Sequence, residues 1–290
     1  MSRLADELDS LRVVVCAGAG GVGKTTMAAT VALGLAAEDR RVALITIDPA
    51  RRLAEALALD DLGNDPQPVD PEPFAREGLQ IGGEVWAMML NVKRTFDELI
   101  ARLAPDRRTL EQILANPVYN QISGAVAGSQ DYTAMAKLFQ VHRDPTYDVI
   151  VLDTPPSRSA VDFLLAPQRL TAFLEGRALS TLLRPTGAMF RVAGLAFGVL
   201  RRIVGVGMLD DLTAFLRLLS GLTGGFRERA AETESLLAES STGFLIVSSP
   251  ERAPVEEAIF LSQELERLGM HRSGLIVNRL HPVDPAGPEV

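Results

Sequence analysis

A glycine-rich stretch, GAGGVGKTT at residues 18–26, directly follows the apolar run RVVVCA. The stretch fits the pattern G-x-x-x-x-G-K-[ST], and the residues after it, TTMAATVALGLAAE, have the composition of a helix. A glycine-rich turn between a strand and a helix directs backbone N–H groups at a bound anion, and the helix N-terminus adds partial positive charge. We therefore predict a loop that binds the phosphates of a nucleotide.

Two residues of the loop have side chains suited to phosphate chemistry. Lys24 would contact the β- and γ-phosphates, and the hydroxyl of Thr25 would coordinate magnesium. Only three of the 29 lysine and arginine residues are lysines, and one of them stands in this loop. A compact ammonium fits between phosphate oxygens where a planar guanidinium does not. We predict ATP and Mg²⁺ as the ligands and Lys24 as a catalytic residue.

Short runs rich in valine and isoleucine alternate with longer helical patterns along the chain. Near-continuous apolar strands are typical of a parallel sheet buried on both faces. Helical segments between them predict a three-layer α/β fold with a mainly parallel, doubly wound sheet. The predicted strands are RVVVCA (12–17), RVALITID (41–48), EVWAMML (84–90), YDVIVLD (147–153), GFLIVSS (243–249) and SGLIVN (273–278).

Two intervals, 91–145 and 160–240, are too long for simple crossovers and predict a helical insertion subdomain. The expected breaks within them are Pro105, Pro117, Pro167, Pro185 and Gly224–Gly225. We predict a single P-loop ATPase domain. Its nucleotide core spans about 11–90, 146–160 and 241–283, and its helical subdomain spans about 91–145 and 160–240. Residues 64–73, NDPQPVDPEP, predict a solvated loop.

Two carboxylates follow predicted strands, where open parallel sheets bind ligands. Asp153 ends VIVLD and is predicted to hold magnesium, partly through water. Asp48 ends the second run and is a candidate base or water-orienting residue, although an N-cap before Pro49 would also explain it. Asn278 closes the last strand, and its amide suits an adenine edge. The residues Asn278-Arg279-Leu280-His281 lack the aspartate of an Asn-Lys-x-Asp motif, so we expect ATP rather than GTP.

The bulk composition excludes several other classes. A net charge of −8 argues against a general nucleic-acid binder, and no nucleic-acid partner is expected. Cys16, the single cysteine, can form neither an internal disulfide nor a multi-thiolate metal site, and we expect it to be buried. The polar start MSRLADELDS predicts no signal peptide and hence a cytoplasmic protein. Three arginines in 187–208 favour a helix outside the membrane.

Four segments together carry a family resemblance: GAGGVGKTT, TIDPARRLAEAL, DTPPSRSAVDFL and LIVNR. In order and spacing, over nearly the whole chain, they resemble the ArsA-type ATPases, which comprise the arsenite pump subunit and the tail-anchored-protein targeting factors. The bacterial "anion-transporting ATPase" branch is the most similar. The resemblance implies a dimer that closes over two ATP molecules and couples hydrolysis to a helical subdomain. It also implies a hydrophobic helical client and a peripheral membrane-protein partner as candidates.

The resemblance assigns roles to individual positions of this sequence. Asp48 would act on the attacking water in a first switch segment, and Asp153 would begin a second. Asn278 would face adenine. The residues implied to bind nucleotide are Gly18, Ala19, Gly20, Gly21, Val22, Gly23, Lys24, Thr25, Thr26, Asn278 and Arg279. The residues implied to form the switches are Asp48, Pro49, Arg51, Arg52, Thr154, Pro155 and Arg158.

The sequence also departs from the family pattern. The metalloid-binding cysteines and the zinc-binding Cys-x-x-Cys pair are absent, so we expect neither arsenite nor bridging zinc. The family continues beyond a point like NRLHPVDPAGPEV, so we expect the C-terminus to be incomplete. At Ala19 the family usually has a lysine that reaches the partner's ATP. Either Arg51, Arg52 or Arg158 replaces it, or the chain pairs as a heterodimer with a subunit that keeps the lysine, or the position has simply drifted and hydrolysis is slow.

Other functions remain open at this point. A partition or division-site ATPase shares the loop and switches but usually has shorter insertions. A nucleotide-gated adaptor would bind ATP with little intrinsic hydrolysis. The apolar residues of 187–224, among them Leu212, Phe215 and Leu218, either pack as a core between helices or form a groove for an apolar helix.

Overall fold

The computed structural model describes residues 4–47, 52–122, 129–154 and 206–280. The chain divides into two compact units. The first lies within Met1–Leu90, Gln140–Asp162 and Leu236–Val290, and the second lies within Asn91–Phe139 and Phe163–Ser235. We call them the sheet unit and the helical unit.

The secondary structure of the described residues is mixed α/β. The strands, in chain order, are β1 (Val13–Ala17), β2 (Arg41–Thr46), β3 (Gln67–Pro68), β4 (Glu84–Met89), β5 (Val149–Asp153), β6 (Thr242–Ser248) and β7 (Arg272–Val277). The helices are α1 (Leu4–Asp9), α2 (Lys24–Ala37), α3 (Arg52–Ala56), α4 (Glu72–Arg76), α5 (Val92–Leu103), α6 (Arg107–Ala115), α7 (Pro117–Ile122), α8 (Ser129–His142), α9 (Val206–Ser220), α10 (Thr223–Ala238) and α11 (Arg252–Arg267).

The seven strands form one sheet in the order β3-β4-β2-β5-β1-β6-β7. β3 pairs antiparallel with β4, and the other neighbours pair in parallel. Every residue of β1, β5 and β6 is buried, and successive side chains such as Val13 and Val14 are both fully buried. Because successive side chains point to opposite faces, both faces of the central sheet are covered. The predicted mainly parallel α/β fold is therefore confirmed.

The short strand β3 differs from the prediction, because residues 64–73 were expected to form only a loop. Gln67 lies opposite Ala87 of β4, and Pro68 lies opposite Trp86. The N–H of Val69 donates to the carbonyl of Val85 at 2.8 Å. A proline is tolerated here because β3 is at the edge of the sheet formed by the described strands, so that none of them lies on its other side to require the missing N–H.

Helix α2 begins directly after the phosphate loop and packs against the sheet. Ala28, Ala32 and Ala36 are spaced four residues apart, and all three are fully buried. This spacing places them on one face of the helix, and their small side chains allow close packing on β1, β2 and β5. The start of α2 is thereby fixed beside the carboxyl end of β1.

The helical unit has an aromatic core. Its ring contacts have centroid distances of about 6 Å: Phe96–Tyr119 at 6.1 Å, Phe96–Phe226 at 6.2 Å, Tyr119–Phe215 at 6.1 Å and Tyr132–Phe226 at 5.9 Å. Phe215 is buried, and Leu212 and Leu218 are partly buried against the same cluster. In this part of the chain the apolar residues therefore pack as core. The remainder of the proposed groove, 187–205, lies outside the described residues.

The Gly224–Gly225 pair does not separate two helices, contrary to the sequence prediction. α9 ends at Ser220 and α10 begins at Thr223, so both glycines lie in the first turn of α10. A Cβ on Gly225 would lie 2.7 Å from Cδ2 of Leu103. The glycine therefore allows close packing of α10 on α5, which outweighs its low helix propensity.

The large apolar side chains that are exposed in the described part of the chain cluster near one edge of the sheet. They are Val255, Ile259, Phe260, Leu275, Val277 and Leu280. The first three lie on α11, and Leu275 and Val277 lie on β7, the edge strand. No helix among the described residues combines the length and the apolarity needed to cross a membrane.

Candidate nucleotide site

Three glycines of the loop between β1 and α2, Gly18, Gly21 and Gly23, have positive φ angles that other residues rarely adopt. Gly23 precedes α2 with a φ of 94°, in the left-handed region, and Gly18 has a φ of 149°. A Cβ on Gly18 would overlap the carbonyl oxygen of Val247, and a Cβ on Gly23 would overlap Nδ2 of Asn278. Both glycines are therefore required by backbone conformation and by close contacts with β6 and with the residue that follows β7.

Lys24 is the first residue of α2 and is 6% exposed. Its Nζ donates a hydrogen bond of 2.8 Å to the carbonyl oxygen of Ala19, so the side chain folds back across the loop. A buried ammonium together with the N-terminus of a 14-residue helix makes this position strongly attractive to an anion.

Three oxygen-bearing side chains converge beside the loop. Oγ1 of Thr25 donates to Oδ2 of Asp153 at 2.8 Å, and Oγ1 of Thr46 donates to the same oxygen at 2.9 Å. Asp153 is 1% exposed and ends β5, which lies between β1 and β2 in the sheet. A carboxylate beside a threonine hydroxyl is a donor set of hard oxygens of the kind that Mg²⁺ prefers. The residues present therefore fit a magnesium ion.

Thr154 links the end of β5 to β1. Its N–H and its Oγ1 both donate to the carbonyl oxygen of Cys16, at 3.3 and 2.8 Å. The Cys16 side chain is buried, as expected. Burial raises the pKa of its thiol well above the usual range, and the nearby Asp153 carboxylate adds to the increase while Lys24 opposes it. A thiol in this environment stays protonated and acts as a small apolar residue.

Ala19 occupies a small apolar cluster within the loop. The residue is 5% exposed and is grouped with Val22 and Val247, and Met27 packs against them. The position where the resemblance implies a lysine thus holds a methyl group that packs inside the loop.

Asn278 lies against the loop from the end of β7. Its backbone N–H donates to the carbonyl of Ser248 at 2.8 Å, and its Nδ2 donates to the carbonyl of Val22 at 2.9 Å. The next residue, Arg279, is exposed and has a φ of 59°, which is uncommon for a residue other than glycine.

The structure therefore brings together the loop residues 18–26, Asp153, Thr154 and Asn278 at the carboxyl ends of β1, β5, β6 and β7. Arg52 is exposed at the start of α3. The other predicted switch residues lie outside the described residues. They are Asp48, Pro49, Arg51, Pro155 and Arg158.

Sequence reasoning missed two residues near this site. Thr46 is the one polar residue in the otherwise apolar VALIT, a signal that could have identified it. Glu257, on α11, is partly buried, and its Oε1 is buried with no hydrogen-bond partner among the described residues. Burial raises the pKa of Glu257, while the charge of Lys24 acts in the opposite direction. No sequence pattern near Glu257 indicated this proximity.

The fold and the loop together define a P-loop nucleotide hydrolase, and comparison with known proteins identifies the family. The family described as "Anion-transporting ATPase" matches residues 11–287. The chain therefore belongs to the anion-transporting ATPase family and is an ATPase of this type.

Individual relatives agree with this assignment at modest identity. The chain is 26% identical over 274 residues to "ATPase GET3" of Malassezia globosa, covering 93% of this chain and 73% of the relative. It is also 26% identical over 274 residues to "ATPase get3" of Sclerotinia sclerotiorum, with the same coverage of both chains. The chain is 27% identical over 270 residues to "Putative arsenical pump-driving ATPase" of Halobacterium salinarum, covering 93% of this chain and 35% of that protein.

Proposed function

We propose that the chain binds Mg-ATP at residues 18–26 and hydrolyses it, and that its nucleotide state controls a partner bound by the helical unit. The observation that carries this proposal is the buried Lys24 in the loop beside the hydrogen-bonded Thr25 and Asp153. A P-loop fold and membership of a family of ATPases support it. The proposed location is the cytoplasm.

Each part of the site has a role in this proposal. Backbone N–H groups of the loop and Nζ of Lys24 bind the phosphates, and Thr26 and Arg279 lie at the edges of the nucleotide. Thr25 and Asp153 would hold Mg²⁺, which when bound neutralises charge on the phosphate oxygens. Asp48 orients the attacking water, and Asn278 accepts a hydrogen bond from the adenine amine.

The proposed assembly is a dimer. The residue at position 19, Ala19, bears on whether it is a homodimer or a heterodimer. A cation supplied across the interface stabilises charge in phosphoryl transfer, and the methyl group of Ala19 cannot supply one. We favour a heterodimer in which the partner subunit keeps a lysine at this position. In a homodimer, Arg51, Arg52 or Arg158 would have to supply the charge instead.

The partner of the helical unit is proposed as a hydrophobic helix or a peripheral membrane protein, as the resemblance implies. Among the described residues, Phe215 and its neighbours pack as core, so a groove would have to involve other parts of the insertion. Membership of the anion-transporting family does not favour a partition or division-site role.

Calorimetry and phosphate release test the proposal with the chain's own lysines as a matched pair. Lys24→Ala should weaken Mg-ATP binding by about 10- to 100-fold or more, because a hydrogen bond to a charged group contributes about 1.5–3 kcal/mol. Lys93→Ala, which removes an exposed ammonium paired with Asp97 in the helical unit, should leave binding unchanged. Unchanged ATP affinity in Lys24→Ala would refute the site. Tight binding without phosphate release by the protein alone would instead favour the nucleotide-gated adaptor.

A further inference from the structure

We propose that Asn278 is a positioning residue that holds the phosphate loop in its binding conformation, in addition to any contact with the base. The inference rests on the proposed ATP site, but it concerns a contact within the protein. Asn278 and Val22 are 256 positions apart in the sequence, and Nδ2 of Asn278 donates to the carbonyl oxygen of Val22 at 2.9 Å.

The contact fixes one peptide unit of the loop. No cis peptide bond occurs in the described chain, so the C=O of Val22 and the N–H of Gly23, which share one planar unit, point in opposite directions. A hydrogen bond that holds the Val22 carbonyl toward Asn278 therefore turns the Gly23 N–H away from Asn278. The loop thereby keeps this donor for a ligand on its other side.

Several neighbouring features make this contact rigid. The Val22 residue is 1% exposed, and its side chain packs with Ala19 and Val247. The backbone of Asn278 is itself tied to β6, because its N–H donates to the Ser248 carbonyl at 2.8 Å. Nδ2 of Asn278 also occupies the space that a Cβ on Gly23 would need. The asparagine can therefore make this contact only because residue 23 has no side chain.

The backbone after Asn278 is consistent with a constrained site. Arg279 has a φ of 59°, a left-handed conformation that is unfavourable for a residue with a side chain and that concentrates at functional sites. The structure thus maintains a strained residue directly after the asparagine that contacts the loop.

A base-free ligand separates this role from base recognition. Magnesium tripolyphosphate offers phosphates without adenine, so a residue that only reads the base cannot affect its binding. We expect Asn278→Ala to weaken the binding of tripolyphosphate by about 3- to 10-fold, and that of ATP by at least the same factor, because ATP also loses any contact between Asn278 and the base. Asn278→Asp should weaken both further, because a carboxylate oxygen would face the Val22 carbonyl. Leu280→Ala, a change at a side chain that is 65% exposed, serves as the control and should affect neither.

Two further measurements exclude a general structural role. The KM for ATP should rise in Asn278→Ala with kcat within about twofold, as expected when binding of the ground state and of the transition state weakens equally. The melting temperature without ligand should stay close to that of the wild type. Weaker ATP binding with unchanged tripolyphosphate binding would overturn the proposal.

Hydrogen exchange tests the contact without any ligand. Amides of residues 18–26 should exchange faster in Asn278→Ala than in the wild type and in Leu280→Ala, because the loop loses its tether. Unchanged exchange would overturn the proposal. If wild-type protein bound neither ATP nor tripolyphosphate, the proposed function would fail, whereas the exchange result would still decide whether Asn278 holds the loop.

Discussion

The sheet unit and the helical unit both bury polar side chains, but they use them differently. In the sheet unit the contacts join distant segments: Thr25 with Asp153 across 128 positions, and Asn278 with Val22 across 256. In the helical unit, Oγ1 of Thr233 donates to the carbonyl of Arg229, four residues earlier in the same helix.

The helical unit also has a long-range polar contact, because Nδ2 of Asn116 donates to the carbonyl of Asp211 across 95 positions. The contact of Thr25 with Asp153 at the strand ends differs in kind, since it joins a hydroxyl and a carboxylate that suit a magnesium ion. A local contact such as that of Thr233 satisfies a hydroxyl within its own helix.

The helical unit derives its order mainly from apolar packing. Asn91 and Asp106 cap α5 and α6 by accepting hydrogen bonds from Arg94 and Thr109 at 2.9 and 2.7 Å. Between the helices, however, stacked and tilted rings fill the interior. The difference indicates that mutations in this unit should change stability, and that mutations at the strand ends of the sheet unit should change nucleotide chemistry.

The largest expected effect concerns the stability that apolar packing gives to the helical unit. Phe226 is 1% exposed and contacts the rings of Phe96 and Tyr132. Phe226→Ala should lower the free energy of unfolding by about 3–5 kcal/mol, because it removes buried apolar surface and leaves a cavity. Urea denaturation measures this loss, and calorimetry well below the melting temperature should show unchanged ATP affinity.

Phe260→Ala is the matched control, since the same residue type on α11 is 49% exposed. We expect this change to alter the free energy of unfolding by about 0.5 kcal/mol or less. Equal losses in the two variants would contradict the proposed origin of stability in the helical unit. A loss of ATP affinity in folded Phe226→Ala would show that packing in the helical unit also affects nucleotide binding in the sheet unit.

A prediction of intermediate size concerns nucleotide hydrolysis in the sheet unit. Ala19→Lys would restore a cation at the position where the family usually has one. In a slow wild-type homodimer we expect turnover to rise by about 10-fold, well below the 10³–10⁵ given by evolved trans-acting arginines. Steady-state phosphate release measures the change.

Ala19→Met is the control, because it introduces a chain of similar length without a charge into the cluster with Val22 and Val247. Both variants disturb that packing, so only the difference between them reports on charge. Fast turnover of the wild type that is lost in Arg52→Ala would favour arginine replacement over the heterodimer.

The smallest expected effect lies in the sheet unit but away from the site. Asp148, just before β5, pairs with Arg41, whose Nη2 lies 2.7 Å from Oδ1 of Asp148. The Arg41 side chain and N–H lower the pKa of this carboxyl to about 2. Because the folded-state pKa is depressed, the stabilisation is present above about pH 4 and is lost as the pH falls toward 2.

Since both side chains are more than one third exposed, solvent screening limits this contribution to about 0.5–1 kcal/mol. Asp148→Asn should therefore lower the free energy of unfolding by this amount at pH 6, and the difference from wild type should shrink at pH 3. Urea denaturation at both pH values checks this, with the exposed Glu266→Gln as a control. If the difference in the free energy of unfolding between wild type and Asp148→Asn grew on acidification, the ion pair would not be the source of the stabilisation.

Local sequence patterns were sufficient to predict the parallel strands and the glycine-rich loop between β1 and α2. Six runs of apolar residues predicted the six strands that pair in parallel. Central strands buried on both faces need an apolar side chain at nearly every position, and the edge strand β7 has an apolar run as well, although much of it is exposed. The G-x-x-x-x-G-K-[ST] pattern indicated the loop, since the two glycines of the pattern have positive φ angles that a residue with a side chain rarely adopts. The short edge strand β3 and the true start of α10 were not predicted, because pairing with β4 and packing on Leu103 come from other parts of the chain.

The side-chain contacts around the loop, in contrast, follow from the tertiary structure. Oγ1 of Thr46 donates to Asp153, and Nδ2 of Asn278 donates to the carbonyl of Val22. Burial raises the pKa of the Glu257 carboxyl, and Lys24 lies close enough for the lysine charge to oppose this rise. Each contact depends on strand order and register, which place residues more than a hundred positions apart at one end of the sheet. A periodic pattern reports which face of an element is buried, but it carries no information about which distant polar group will lie opposite.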